Sequence, residues 1–380
     1  MVSQTLTDKI DSILIHKIWG YVVLAFFIWL MFFATFQIGE YPMMWLESGV
    51  DWVSHWLNNN VSKGVLSDML SFGVVQGVGG VLVFLPNILI LFLFISLMEE
   101  TGYMTRVAYL MDKLMHGIGL HGKSFVPMIM GFGCNVPAIM ATRTIENKKD
   151  RLLTMLIIPF MSCSAKLPVY ILIVGTFFPQ YAVLILCCLY LLGILLAVLF
   201  AFVFKKTILK TPSAEYQMYL PKYKVPTLKT TMSILWFNTK DYLKKMGGII
   251  LIASILIWFL MNYPTMDSPD TSILAYIGRF IEPILIPLGF DWKIGISLLS
   301  GFGAKEVIVS TISVVQPIFT HASAISFLVF VLIYFPCVGV FAAVGKESGR
   351  WRWSVFLVLY TTTLAWILSF ITYQIASLFM

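Results

Sequence analysis

Residues 130–138 read MGFGCNVPA and residues 300–308 read SGFGAKEVI. Each sets two glycines about a phenylalanine inside an apolar segment, about 124–142 for the first and 292–316 for the second. Glycines packed this closely interrupt a helix, because they favour backbone freedom over helical order and release carbonyl and N–H groups from the helical ladder. The fold turns on whether these two segments cross a membrane or enter it and return on the same side.

That a membrane is involved follows from composition. Of the 380 residues, 59% are hydrophobic and only 12% charged, far from the balance of a soluble domain. The charge-free runs Ile18 to Gly39, Met69 to Met98, Leu167 to Phe204, Met246 to Met266 and Trp353 to Met380 are each long enough to cross ~30 Å of hydrocarbon as helices. Unbroken apolar runs call for helices, since the strands of a membrane barrel alternate. The first run is too long for a signal-peptide core and has no small-residue cleavage site behind it, so a retained span is expected. Spans are predicted at about 18–38, 79–98, 152–175, 182–204, 246–263, 323–343 and 353–376.

Charge then decides the glycine segments. With a cytoplasmic N-terminus and both segments re-entrant, 21 of the 26 basic residues fall on the cytoplasmic side, as the positive-inside rule requires. Only Lys63, Arg279 and Lys293 lie outside, with Lys166 and Lys305 at membrane depth. If the segments crossed fully, the cluster Arg143, Lys148, Lys149 and Arg151 would move to the outside. The expected fold is therefore an all-α polytopic membrane protein of two inverted repeats. Each has an amphipathic helix (Met43 to Leu57, then Leu228 to Lys245), a span, a re-entrant GFG hairpin and two spans, and one extra span precedes them. The divisions that follow are 1–40 for the lead and first span, 41–210 for the first repeat, 211–345 for the connector and core of the second, and 346–380 for its last span. Inverted repeats with broken helices are the mark of a transporter. The net charge of +7 is accounted for by the same bias, so membrane lipid rather than nucleic acid is the expected partner.

Two short motifs argue for a nucleotide and fail on context. GIGLHGKS at 117–124 fits the phosphate-loop pattern and NKKD at 147–150 a guanine-specificity pattern. A phosphate loop follows a buried strand and opens a soluble helix. Here the loop follows the helix-like RVAYLMDKLMH and opens an apolar hairpin, with no D-x-x-G between the two motifs. No nucleotide site is expected in this sequence.

A longer pattern is more specific. The stretch at 102–170, GYMTRVAYLMDKLMHGIGLHGKSFVPMIMGFGCNVPAIMATRTIENKKDRLLTMLIIPFMSCSAKLPVY, resembles the membrane domain of the bacterial ferrous-iron transport protein B family, including its first gate motif. The resemblance continues through YLPKYKVPTLK (219–229), the second gate motif GFGAKEVIVSTIS (301–313), YFPCVGVFAAVGKESG (334–349) and YTTTLAWILSFITYQI (360–375). It implies a permease of the bacterial inner membrane with Fe2+ as transported substrate and no permanently bound cofactor. It also implies small cytoplasmic accessory proteins as partners, and is compatible with a homo-oligomer. Family members carry an N-terminal GTP-binding domain and a helical spacer ahead of the first span; this sequence begins at MVSQTLTDKIDSILIHKIWG, just before that span. The GTPase activity is thus expected to reside in a domain absent from this sequence, and the chain itself is not expected to be an enzyme.

Ferrous iron accepts thiolate, imidazole and carboxylate, and in transit it needs exchangeable ligands. Donors at membrane depth are the candidates. Cys134 follows GFG at a backbone break; its alternative is a small packing residue beside a bend. Asn135 offers a carbonyl oxygen or a helix cap. Cys163 lies in PFMSCSAKLP, where Pro159 and Pro168 kink the helix. Cys337 follows Pro336 in YFPC and mirrors it in the other repeat. Glu306, three residues after the second GFG, is a hard ligand or the partner of Lys305. Lys166, a cation at membrane depth, is a gate, a partner for Glu306 or a snorkelling side chain. Glu99 and Glu100 end a span where a cation would leave. His116 and His121 are expected to be ordinary solvated side chains, and Cys187 and Cys188, being adjacent, to pack in lipid or core. The rivals to iron are a permease for an organic solute such as a nucleoside, a membrane anchor for a separate GTPase, and an intramembrane enzyme. The last lacks H-E-x-x-H, G-x-S-x-G and paired membrane aspartates.

Overall fold

The structure is a computed structural model that describes residues 4–60, 75, 79, 82–83, 85–208, 223–263, 272–303, 305 and 307–379. Every regular element among them is a helix. After α1 (Gln4–Leu14) and α2 (Trp19–Phe33), a π-helical stretch (Ala34–Ile38) leads to α3 (Glu40–Asn60). Helices α4 (Leu85–Thr101) and α5 (Tyr103–Gly117) follow, then the broken pair α6 (Phe125–Gly133) and α7 (Asn135–Ala141). Next come α8 (Lys148–Ile157), α9 (Leu167–Phe177), α10 (Ala182–Thr207) and α11 (Leu228–Asn262). The chain ends in α12 (Ile273–Leu285), α13 (Trp292–Ser300), α14 (Val307–Val315), α15 (His321–Ile333), α16 (Val338–Ser348) and α17 (Trp351–Phe379).

Among the described residues five helices, at 19–57, 148–177, 179–207, 321–348 and 351–379, are long and apolar enough to cross a membrane, and seven if two bent pairs each count as one span. The chain is a multi-pass membrane protein. The bent pairs are α4 with α5, at 88°, and α12 with α13, at 106°. Helix α17 shows how such a span is built. Ser354, Leu357, Thr361, Ala365 and Ser369 recur every three or four residues and are buried, while Val355, Leu359, Ile367 and Ile371 on the other side are exposed. Small residues line the packed face because they let backbones approach, and the large aliphatics are left to lipid. Helix α15, its neighbour, is buried on all sides from Phe327 to Ile333, the pattern of a helix at the centre of its unit.

The chain forms two compact units that interleave in sequence: residues 1–49, 80–158 and 197–247 make one, and residues 50–79, 159–196 and 248–380 the other. In the first unit, α1 is held by Asp11, which accepts from the fully buried Arg106 of α5 at 3.1 and 3.3 Å and from the hydroxyl of Tyr223 at 2.6 Å. The Arg106 guanidinium lies 4.1 Å over the Tyr223 ring. In the second unit, Ser326 of α15 and Ser369 of α17 exchange hydroxyl-to-carbonyl hydrogen bonds, each 3.1 Å long.

Two stretches form helices with bounds other than those expected. The amphipathic stretch 228–245 and the span 246–263 are one uninterrupted helix, α11, of 35 residues; Gly247 and Gly248 lower helix propensity without ending a helix that apolar surroundings support. The segment ahead of the second hairpin contains a further helix, α12, started by Ser272, whose hydroxyl accepts from Ala275 N at 3.1 Å.

Candidate functional site

Four backbone breaks carry the candidate residues, and each arises from a local conflict in the sequence. At the first, α6 ends on Gly133 and α7 begins at Asn135, with Cys134 alone between them in an extended conformation (φ −150°, ψ 128°). Its N–H closes α6 on Met130 O at 3.0 Å and its carbonyl accepts from Ala138 N at 3.3 Å. One residue thus caps the end of one helix and the start of the next. Asn135 is 5% exposed, and its side-chain oxygen has no hydrogen-bond partner. It therefore caps nothing; a buried amide oxygen so placed costs about 1–3 kcal/mol unless something fills it.

The second break is the turn Gly301–Gly303 between α13 and α14. The two helices lie against each other through Ser300 and Thr311, whose hydroxyls are 3.0 Å apart. A Cβ on Gly301 would run into the Tyr334 hydroxyl and Ile308, so close approach is the reason for glycine here. Ala304 and Glu306 lie outside the described residues, and with Glu306 go its expected pairing with Lys166 or Lys305 and its position as a ligand.

The third and fourth breaks occur in the spans of 148–177 and 321–348. In each the helix unwinds and restarts after a cysteine held in nearly the same extended backbone: Cys163 at φ −72°, ψ 161° and Cys337 at φ −61°, ψ 160°. Pro336 forbids a helical hydrogen bond at its own nitrogen, and Pro159 and Pro168 do the same around Cys163. Both breaks belong to the second compact unit. They meet at Lys166, which is 3% exposed and donates to Leu332 O at 2.7 Å and to Pro159 O at 3.3 Å. Both thiols lie within electrostatic reach of its ammonium group.

The GFG turn docks on the fourth break. Val338 N donates to Phe302 O at 2.7 Å, while Lys305 donates to Phe335 O at 2.8 Å and sits 3.2 Å over the Tyr334 ring. Phe302 and Phe335 meet edge to face at 5.4 Å. The fully buried Tyr334 hydroxyl has no partner. Tyr334, together with Tyr170, whose hydroxyl lies 3.3 Å from that of Ser162, belongs to this cluster and is missed by sequence reasoning. The only signal was adjacency to the cysteines, which aromatic residues in an apolar chain share by chance.

The remaining candidates lie apart from these breaks. Glu99 is exposed and Glu100 half-buried at the end of α4, where Glu100 accepts from the Thr231 hydroxyl of α11. Cys187 and Cys188 are exposed on α10, within the apolar stretch 179–207 that is long enough to cross a membrane. His116 stands 3.4 Å from Asp112, and His121 Nδ1 accepts from Lys123 N at 3.0 Å. Burial of the His121 ring holds its pKa below the usual imidazole value, against the pull of the Asp112 carboxylate. Among the described residues no three His, Cys, Asp or Glu side chains converge as a closed metal site.

The GIGLHGKS loop follows helix α5 and consumes its own N–H groups. Gly122 N donates to Asp112 Oδ1 at 3.0 Å, Ser124 N to His121 O at 2.8 Å and Leu120 N to Met115 O at 2.9 Å. The Gly122 N–H is taken by a carboxylate, which repels the anion a phosphate loop has to hold. Asn147 of NKKD caps α8 by accepting from Lys149 N at 2.9 Å.

The family described as "Nucleoside recognition", the Gate family, matches residues 81–177 and 243–351, and "Ferrous iron transport protein B C terminus" matches residues 186–237. Over 99% of its length the chain is 47% identical to a Porphyromonas gingivalis protein called "Fe(2+) transport protein A/Fe(2+) transporter FeoB fusion protein", covering 52% of that relative. It is 42% identical to a Campylobacter jejuni protein and 44% identical to a Staphylococcus aureus protein, both called "Fe(2+) transporter FeoB", covering 66% and 60% of them. The chain thus spans between about half and two thirds of the length of these curated relatives. No solved structure matches it.

Proposed function

The chain belongs to the ferrous-iron transport protein B family, and from that premise we propose that it is the permease through which Fe2+ enters the cell across a bacterial inner membrane. The observation that carries this is the meeting of two proline-flanked, cysteine-bearing helix breaks at Lys166 within one compact unit. Two soft donors on unwound backbone suit an ion of intermediate softness that has to be bound and let go. Cys134 with the unpartnered Asn135 oxygen furnishes a further pair of donors, and Glu306 a carboxylate. Glu99 and Glu100 stand where the ion would leave. The repeated order of span, GFG break and two spans supports two repeats of inverted orientation, and the distribution of basic residues supports a cytoplasmic N-terminus.

The description of the Gate family speaks of nucleosides, which leaves an organic solute as the second reading. A nucleoside site needs clustered amide, hydroxyl and aromatic groups along a cleft; cysteines at the breaks favour the metal. Energy also permits uptake without pumping. Two charges moving inward across ~100 mV release about 4.6 kcal/mol, equivalent to roughly a thousandfold gradient. Because the GIGLHGKS loop has satisfied its own N–H groups, we assign GTP control, which the family resemblance implies, to a domain or protein outside these residues. The fused Fe(2+) transport protein A named in one relative supports an accessory protein of that kind as a partner.

The test is anaerobic Fe2+ influx into liposomes containing this chain with an inside-negative potential. Saturable influx is expected, reduced at least tenfold in Cys163→Ser and in Cys337→Ser and also lowered in Cys134→Ser. Influx equal to that of empty liposomes, both alone and with a GTP-binding partner supplied, would sink the proposal.

A further inference from the structure

Lys166 and Lys305 pose a problem that transport of a cation makes sharper. Both are 3% exposed, and a buried ammonium at membrane depth is retained only where it does something. Lys166 makes no ion pair with an acidic side chain among the described residues. Both donate to backbone: Lys166 takes Pro159 O and Leu332 O, one carbonyl from each cysteine-bearing break, and Lys305 takes Phe335 O in the second break. Carbonyls released by a helix break are the groups with which membrane proteins coordinate alkali ions, and carbonyl oxygens are equally ligands for calcium.

We propose that Lys166, seconded by Lys305, determines the ion specificity of this site by occupying, as a tethered cation, the carbonyl oxygens that a hard cation would need. A hard ion arriving at the breaks finds its oxygen donors bound and a fixed positive charge beside them, and its binding to protein is almost wholly electrostatic. A softer ion gains covalent character from the thiols of Cys163 and Cys337, which offsets the same repulsion. The lysines therefore act as a filter by subtraction. This rests on the permease reading for its biological meaning, while the ion-binding chemistry can be measured without transport.

The experiment uses the full chain purified in detergent and reads thermal unfolding with potassium, ammonium, magnesium or calcium chloride, with choline chloride as the ionic-strength control. Wild type is expected to respond to none of them beyond choline. In Lys166→Ala the vacated carbonyls are expected to accept a small cation, and ammonium or potassium, and in the same variant magnesium or calcium, raises the midpoint by about 2–4 °C. Lys305→Met leaves the Lys166 bridge intact and is expected to gain a smaller response, so the idea stays testable if Lys166→Ala does not fold. Lys166→Arg keeps a cation in place and should remain as indifferent as wild type. In liposomes, the Lys166→Ala influx of Fe2+ should become at least tenfold more sensitive to competing Ca2+ than that of wild type. Variants that fold and yet gain no response to any hard cation would show a mere structural clamp and overturn the proposal. Hard-cation binding gained in the variants while wild type carries no Fe2+ would leave it standing and remove iron instead.

Discussion

Gly301 opens the second GFG motif and Gly133 closes the first, and the two are held to glycine with different force. A Cβ at Gly301 meets the buried Tyr334 hydroxyl and the branched Ile308, whereas one at Gly133 meets only the end of the Leu91 side chain, at 3.3 Å. Gly301→Ala should therefore cost about 1–3 kcal/mol by overpacking, and Gly133→Ala markedly less, measured as unfolding in detergent. Asn147→Ala removes a helix cap and should cost about 1 kcal/mol without changing ion influx; if influx were lost, NKKD would have a role beyond capping α8. His121 gives a pH signature. Its folded pKa is lowered by burial, so protonation favours the unfolded chain. Its contribution is complete above the usual value near 6.5 and is lost as pH falls through that value toward the folded one. Wild type should lose more stability between pH 7.5 and 5.5 than His121→Asn, which keeps a capping side chain without the charge. At this scale the sequence was informative about where the backbone breaks and silent about what packs there. Cys134, Cys163 and Cys337 announce themselves by the glycines and prolines beside them. The acceptors of Lys166 are backbone carbonyls, which leave no mark in a sequence, so an acidic side chain was the only partner that could be read.

Breaks in helices were the most legible elements, because glycine and proline act locally and do not depend on tertiary context. Continuity was less so. Helix α11 runs through a polar-to-apolar change that sequence alone divides in two, and α12 lay hidden in a stretch with no long apolar run. How helices pair was not legible at all in nearly uniform apolar segments, where the buried face has no polar contrast. The reciprocal bonds of Ser326 and Ser369 between α15 and α17 illustrate this. A double-mutant cycle with Ser326→Ala and Ser369→Ala should return a coupling of about 0.6 kcal/mol, the usual value for hydrogen bonds between membrane helices. Purely additive effects would mean that small-residue packing, rather than the hydrogen bonds, joins the pair.

The interleaving of the two units makes remote parts of the chain depend on one another. The Arg106–Asp11–Tyr223 cluster joins three segments that span more than 200 positions, residues 11, 106 and 223, within one unit. Removing Asp11 strands a guanidinium that is 1% exposed, and a buried charge left without its partner costs about 3–5 kcal/mol. Asp11→Ala should accordingly destabilise the chain more than Arg106→Leu, which removes the charge that needs compensation; the reverse order would place the weight on the packing of the arginine stem. Composition and charge bias gave the membrane class from the sequence, but membership of the units could not be read, since it depends on contacts between segments that alternate along the chain.

The docking of the GFG turn on the YFPC break has a mechanical side. Val338 gives a hydrogen bond to Phe302, and Lys305 gives one back to the carbonyl of Phe335. The two links are three positions apart on each side, 302 and 305 facing 338 and 335, so the turn and the break part only when both bonds are lost. The tip of the α13–α14 hairpin and the start of α16 are thereby fastened to each other at two points. Cys337 lies between the two anchored positions, 335 and 338, so any displacement of the hairpin tip is passed directly to the backbone that carries its thiol.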